Sequence, residues 1–177
     1  MCFLLLVTLL SLFLLVRQRE ERTPYLNEIC PNNFAAAQDE KHAFPDYIEL
    51  YNPTDTDFSL EGYYLSDDQN DLKKFPLAEI TIAPKGYALI WSDREGETDA
   101  THTVFGLSKD GETVFLSDEQ GKMIDAVTFP ALPYDTAYSR TEKGWTRSTC
   151  TPGETNENMT VLPAQTLKEP TFSAPGG

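Results

Sequence analysis

Residues 47–91 read YIELYNPTDTDFSLEGYYLSDDQNDLKKFPLAEITIAPKGYALIW. Four short runs of alternating apolar and polar residues are cut by Asn52-Pro53, Glu61-Gly62, Ser66-Asp67-Asp68 and Pro84-Lys85-Gly86. No stretch between them carries a helical period. Short strands broken at close intervals by turn residues predict an antiparallel β-sandwich. Within Tyr47–Tyr51 the period of two sends Ile48 and Leu50 to one face and Tyr47, Glu49 and Tyr51 to the other. Asn52-Pro53 ends that strand, because proline lacks the N–H a ladder needs. Gly62 and Gly86 serve turns in which a side chain costs strain.

The pattern continues on both sides. Tyr25–Ile29 is the first strand, followed by a polar loop with a short helical turn expected at Phe34–Gln38. Beyond Trp91 an acidic loop leads to a strand at Thr103–Phe105, then to a hairpin of Glu112–Leu116 and Met123–Phe129 around Gly121. Thr136–Arg140 and Trp145-Thr146 close the set. The expected fold is all-β: an immunoglobulin-like sandwich of about 8–10 short antiparallel strands, preceded by an apolar N-terminal helix. Tyr63 and Trp91 have the size of buried anchors for its core.

That helix is read from Met1–Val16, MCFLLLVTLLSLFLLV, which has no charge. Sixteen helical residues span about 24 Å, a little less than the roughly 30 Å of a bilayer core. No small-x-small cleavage site follows, so residues 1–16 are expected to be an uncleaved membrane anchor. Arg17, Arg19 and Arg22 lie just after it, which taken literally would hold the domain in the cytoplasm; a basic segment upstream of Met1 would restore the extracytoplasmic orientation expected here. The domains predicted are the anchor at 1–16, a charged linker at 17–24, the sandwich at 25–156 and an extended tail at 157–177.

Assembled in order, these pieces resemble the lamin tail domain, in its bacterial exported form. They are Leu26–Ile29, Asp46–Pro53, Leu60–Asp68, Phe75-Pro76, Ile82–Tyr87, Leu107–Glu112 and Thr151–Glu154. The resemblance covers roughly residues 25–156 and implies an immunoglobulin-like sandwich with an accessory or interaction role. Glu169–Gly177 resembles the opening strand of a further sandwich in large bacterial surface proteins, some of which carry a CotH-type kinase-like domain. A fragment of such a protein is therefore expected.

Composition limits the function. Twenty-eight acidic against 14 basic residues give a net charge of −14. A surface of that sign repels phosphate, so no nucleic-acid partner is expected. Heptads of the lamin coiled coil are absent too. There are two histidines, His42 and His102, both read as structural or surface residues. No Gly-x-Ser-x-Gly, His-Glu-x-x-His or Cys-x-x-Cys occurs, and Ser108-Lys109-Asp110-Gly111 fits a hairpin turn. No catalytic residue and no cofactor is assigned.

Two weak cation readings stand against solvated loop carboxylates. Asp67, Asp68, Asn70 and Asp71 form a dense oxygen-donor set for Ca²⁺, without the spacing of an EF-hand. Asp93, Glu95, Glu97 and Asp99 form a second. Cys30 and Cys150 stand near the ends of the sandwich. They are either a disulfide, worth roughly 4–5 kcal/mol in the chain-entropy account, or two unpaired small hydrophobes. The function expected is a non-catalytic binding or spacer module on the cell envelope. Exposed loops and aromatics such as Tyr47, Tyr51 and Tyr138 would engage a protein or an envelope polymer. The alternative is an accessory domain of a larger CotH-kinase-like or nuclease enzyme.

Overall fold

The computed structural model describes residues 23–94 and 100–163. Eleven strands form three antiparallel sheets. They are β1 (Tyr25–Cys30), β2 (Asp46–Tyr51), β3 (Phe58–Ser59), β4 (Tyr64–Ser66), β5 (Phe75–Pro76), β6 (Thr81–Ile82), β7 (Tyr87–Ser92), β8 (Gly111–Ser117), β9 (Met123–Pro130), β10 (Thr136–Thr141) and β11 (Gly144–Thr149). A five-stranded sheet in the order β11-β10-β1-β2-β7 faces a four-stranded sheet, β5-β4-β8-β9, with β3-β6 as a small third pair. This is the sandwich the sequence predicts, with one strand more than its upper count. The helix expected over residues 1–16 lies outside the described residues. Among those described, no helix is long and apolar enough to cross a membrane.

Period two explains the core. Ile48 and Leu50 of β2 point inward with Leu26 and Ile29 of β1 and Ile90 of β7, all fully buried. Leu65, Val114, Leu116, Val127 and Phe129 meet them from the other sheet. Each buried aliphatic side chain contributes about 1.5–3 kcal/mol of transfer free energy. Trp91 is buried as expected, but in a satellite cluster with Cys30 and Tyr47. Tyr63 is partly buried against the main core, edge-on to Phe58.

The outer face of the five-stranded sheet departs from the simple alternation, because the chain covers it. Tyr47, Glu28 and Glu49 are 0% exposed. Asn52 does more than precede a proline. Its amide donates to the carbonyls of Thr56, Ile82 and Ala83, and its oxygen accepts from the amide and hydroxyl of Thr54. The β6–β7 turn also differs in detail: Lys85 takes φ 53, while a Cβ on Gly86 would stand 3.0 Å from the Ala83 carbonyl. Gly86 is thus required by close approach rather than by a left-handed backbone.

Two other expectations change. Phe34–Gln38 forms no helical turn. Asp135 Oδ1 takes the amides of Phe34, Ala35 and Ala36, and Asn33 Oδ1 takes those of Ala36 and Ala37, so side chains replace the helical bonds. Thr103–Phe105 is not a strand either. The chain there makes single bridges, His102 with Trp91 and Gly106 with Asp93, and the Thr103 hydroxyl donates to the Phe105 carbonyl. Packing also continues past residue 156: a 3-10 turn at Asn156–Asn158 returns the chain so that Val161 bridges Ser148.

Candidate functional site

The strand register lines up aromatic residues across the outer face of the five-stranded sheet. Tyr25 pairs with Tyr51, and Tyr51 with Tyr87. Their rings lie 5.4 Å and 4.9 Å apart. Arg140 of β10 and Trp145 of β11 belong by register to the core-facing side, since Tyr138 pairs with the inward Ile29. At the end of the sheet the Arg140 guanidinium joins the two sets of rings, 4.9 Å from Tyr25 and 4.8 Å from Trp145. Trp145 stacks on Tyr138 at 5.7 Å. Tyr25, Tyr51, Tyr87, Arg140 and Trp145 line a groove of about 1010 Å³.

Arg140 is held in place by polar contacts. Its Nε donates 2.7 Å to the Leu26 carbonyl, and it is paired with Asp125, which also accepts the Leu26 amide at 3.0 Å. It therefore enters the groove neutralised. Glu142, Lys143 and Glu157 add two negative charges and one positive to the lining. With the Arg140–Asp125 pair, the groove is close to neutral in a chain of net charge −14. Burial raises the pKa of the Tyr25 and Tyr87 hydroxyls, so both act as neutral donors.

The closing segment Thr151–Asn156 builds one wall, and two buried glutamates fasten it. Glu28 Oε1 accepts the Tyr47 hydroxyl at 2.6 Å and the Thr151 amide at 2.9 Å. Its Oε2 accepts the hydroxyls of Ser139 and Thr151, each at 2.8 Å. Glu49 accepts Asn27 Nδ2 at 2.7 Å and the Gly153 amide at 2.6 Å. Burial pushes the Glu49 carboxyl up to about 8 against those two donors, with neighbouring Glu28 adding to the rise. Asn156 completes the wall, donating to the carbonyls of Asn27 and Arg140.

Tyr51 lines the groove, whereas Tyr138 pairs with the inward-facing Ile29 and packs against the main core. Tyr47 does not line it either: its ring is buried edge-on to Trp91, and it is no binding residue. Tyr25, Tyr87, Arg140 and Trp145 were not singled out from the sequence. Each is an ordinary strand residue, and only the strand pairing brings them together.

The remaining predicted positions lie away from the groove. Asp68 Oδ1 accepts from the backbone and side chain of Asn70, Asp67 pairs with Lys74, and the Asp71 amide donates to the Asp68 carbonyl. Asp93 contacts His102, whereas Glu95, Glu97 and Asp99 lie outside the described residues. Ser108–Gly111 is the expected turn, closed by the Gly111 amide on the Ser108 carbonyl at 3.0 Å. His42 is exposed in a turn with φ 63. The Cys30 and Cys150 sulfurs stand 3.5 Å apart as thiols. The hydrogen bond to Cys150 and burial both raise the Cys30 pKa.

His102 is buried, 1% exposed. Burial works against its protonation, but Asp93 at 2.7 Å and Glu40 at 3.1 Å outweigh that and raise its pKa. Neither carboxylate lines the groove.

No curated protein matches the chain. The model of the Lamin Tail Domain family matches residues 18–131, which takes in β1 to β9. The antiparallel sandwich and this match agree, and the chain belongs to the lamin tail domain family, a family of non-catalytic immunoglobulin-like modules.

Proposed function

We propose that the chain is a binding module of a bacterial cell envelope, tethered through Met1–Val16 with its sandwich outside, and that its groove holds a neutral glycan strand. The observation that carries this reading is the row Tyr87, Tyr51, Tyr25, joined through Arg140 to Trp145, on a near-neutral surface. The electron-rich faces of such rings attract the weakly positive C–H faces of pyranose rings. The hydroxyls of Tyr25 and Tyr87 supply polar contacts at the same level.

A glycan fits better than a peptide. An extended peptide binds best along a free sheet edge, where main-chain groups are unpaired, and the edge strand β11 that borders the groove is already bonded to residues 160–162 along part of its length. An anionic polymer gains little, because the Arg140 guanidinium is already paired with Asp125.

The test is cosedimentation of the full chain with insoluble cellulose, chitin and peptidoglycan. We expect retention on at least one of them. Trp145→Ala or Tyr51→Ala should weaken it about tenfold, the equivalent of about 1.4 kcal/mol. Retention on none of the three, or retention unchanged in both variants, overturns the reading.

A further inference from the structure

We infer that Asp39, Glu40 and His102 form a binding site for a divalent transition-metal ion of the zinc class, away from the aromatic groove. The ligand atoms of these three residues lie within 4.8 Å of one another. An ion at the centre of such a triangle is at most about 2.8 Å from each corner, and zinc–ligand distances are about 2.0–2.2 Å. Glu40, whose side chain is 54% exposed, can close that difference by rotation alone.

The histidine is built as a ligand. Its backbone is clamped on both sides, since Trp91 N donates to the Thr101 carbonyl at 2.8 Å and Thr103 N to the Trp91 carbonyl at 2.7 Å. Its ring is 1% exposed and lies against the Trp91 indole. Nδ1 is 2.7 Å from Asp93 Oδ2, which leaves Nε2 directed at Glu40. A carboxylate behind the ring fixes the tautomer with Nε2 free to ligate, as behind most metal-bound histidines. Asp39 is equally fixed: it is 7% exposed, and one oxygen accepts the amides of Lys41 and Ala43.

Charge points the same way. Three carboxylates converge on one imidazole, which supplies at most a single positive charge. A divalent ion held at the lone pair of Nε2 supplies two. A nitrogen ligand with two carboxylates suits zinc and its neighbours, whereas Ca²⁺ prefers an all-oxygen shell of six or more.

The full chain, stripped with chelator, is to be titrated calorimetrically with ZnCl₂ and with CaCl₂, and with Co²⁺ as an optical probe. We expect one Zn²⁺ per chain and a Co²⁺ spectrum of tetrahedral intensity. Glu40→Gln, an exposed change that leaves the fold alone, should weaken Zn²⁺ at least tenfold. Asp93→Asn should weaken it about 10–100-fold by loss of ring orientation. No Zn²⁺ heat, or Zn²⁺ binding unchanged by Glu40→Gln but lost in Cys150→Ser, overturns the site. Calcium binding tighter than zinc does so too.

Discussion

Glu28 makes the sharpest test of how the closing segment is held. In Glu28→Ala two of its four donors keep another partner: Ser139 retains Ser148 at 2.6 Å, and the Thr151 hydroxyl retains Asn156 at 2.9 Å. The Tyr47 hydroxyl and the Thr151 amide lose the carboxylate in a buried setting. At about 1–3 kcal/mol per orphaned buried group, the loss is about 2–6 kcal/mol, a large part of a typical domain's stability. With about 2–4 °C per kcal/mol for a chain of this size, the melting temperature should fall by roughly 10 °C.

Glu28→Gln is the control. Its carbonyl can replace Oε1, and its amide can donate to the Ser139 and Thr151 hydroxyls, which rotate to accept. The cost should be about 1 kcal/mol. Urea unfolding followed by tryptophan fluorescence measures both, and hydrogen exchange at Thr151 and Gly153 reports the segment directly. Alanine within 1 kcal/mol of wild type would refute the reasoning, as would glutamine as damaging as alanine.

Stability should fall between pH 5 and pH 8.5. Glu49 ordinarily titrates near 4.5 and is held at about 8, and burial takes Asp46 from 3.8 to about 6. The folded state therefore binds more protons than the unfolded chain across that window, so raising pH favours unfolding, by up to about 4 kcal/mol for Glu49; urea midpoints at the two pH values measure it, and Glu49→Gln should flatten the slope. Gly111→Ala should cost more than about 2 kcal/mol, because a Cβ there meets the Phe129 carbonyl oxygen at 2.6 Å on a backbone with φ 95; thermal melts that match wild type would contradict this. Leu50→Ala, at a fully buried centre of β2, should cost about 2–5 kcal/mol by chemical denaturation.

The fold was legible because period-two runs and turn residues are local signals. Ile48 and Leu50 announce an inward face, and Asn52-Pro53 announces its end. What was not legible depends on pairing between distant residues. Tyr47 and Tyr51 look alike in sequence, yet Tyr47 is capped by Glu28 and the closing segment while Tyr51 sits in the groove. Asp39 and Glu40 read as loop carboxylates, and only the bridge of His102 to Trp91 brings them to an imidazole about sixty positions away. The Thr103–Phe105 run satisfies strand composition, but it bonds through a threonine hydroxyl and single bridges instead of a ladder.

The chain's two tryptophans allow the groove to be tested against the rest of the fold in one experiment. Trp145 lies in the groove and Trp91 in the buried satellite cluster. Soluble chito- and cello-oligosaccharides titrated into the ¹⁵N-labelled full chain should shift the Trp145 indole N–H saturably and leave that of Trp91 in place. A Trp145 resonance unmoved by every oligosaccharide, or both indoles moving together, would contradict the account.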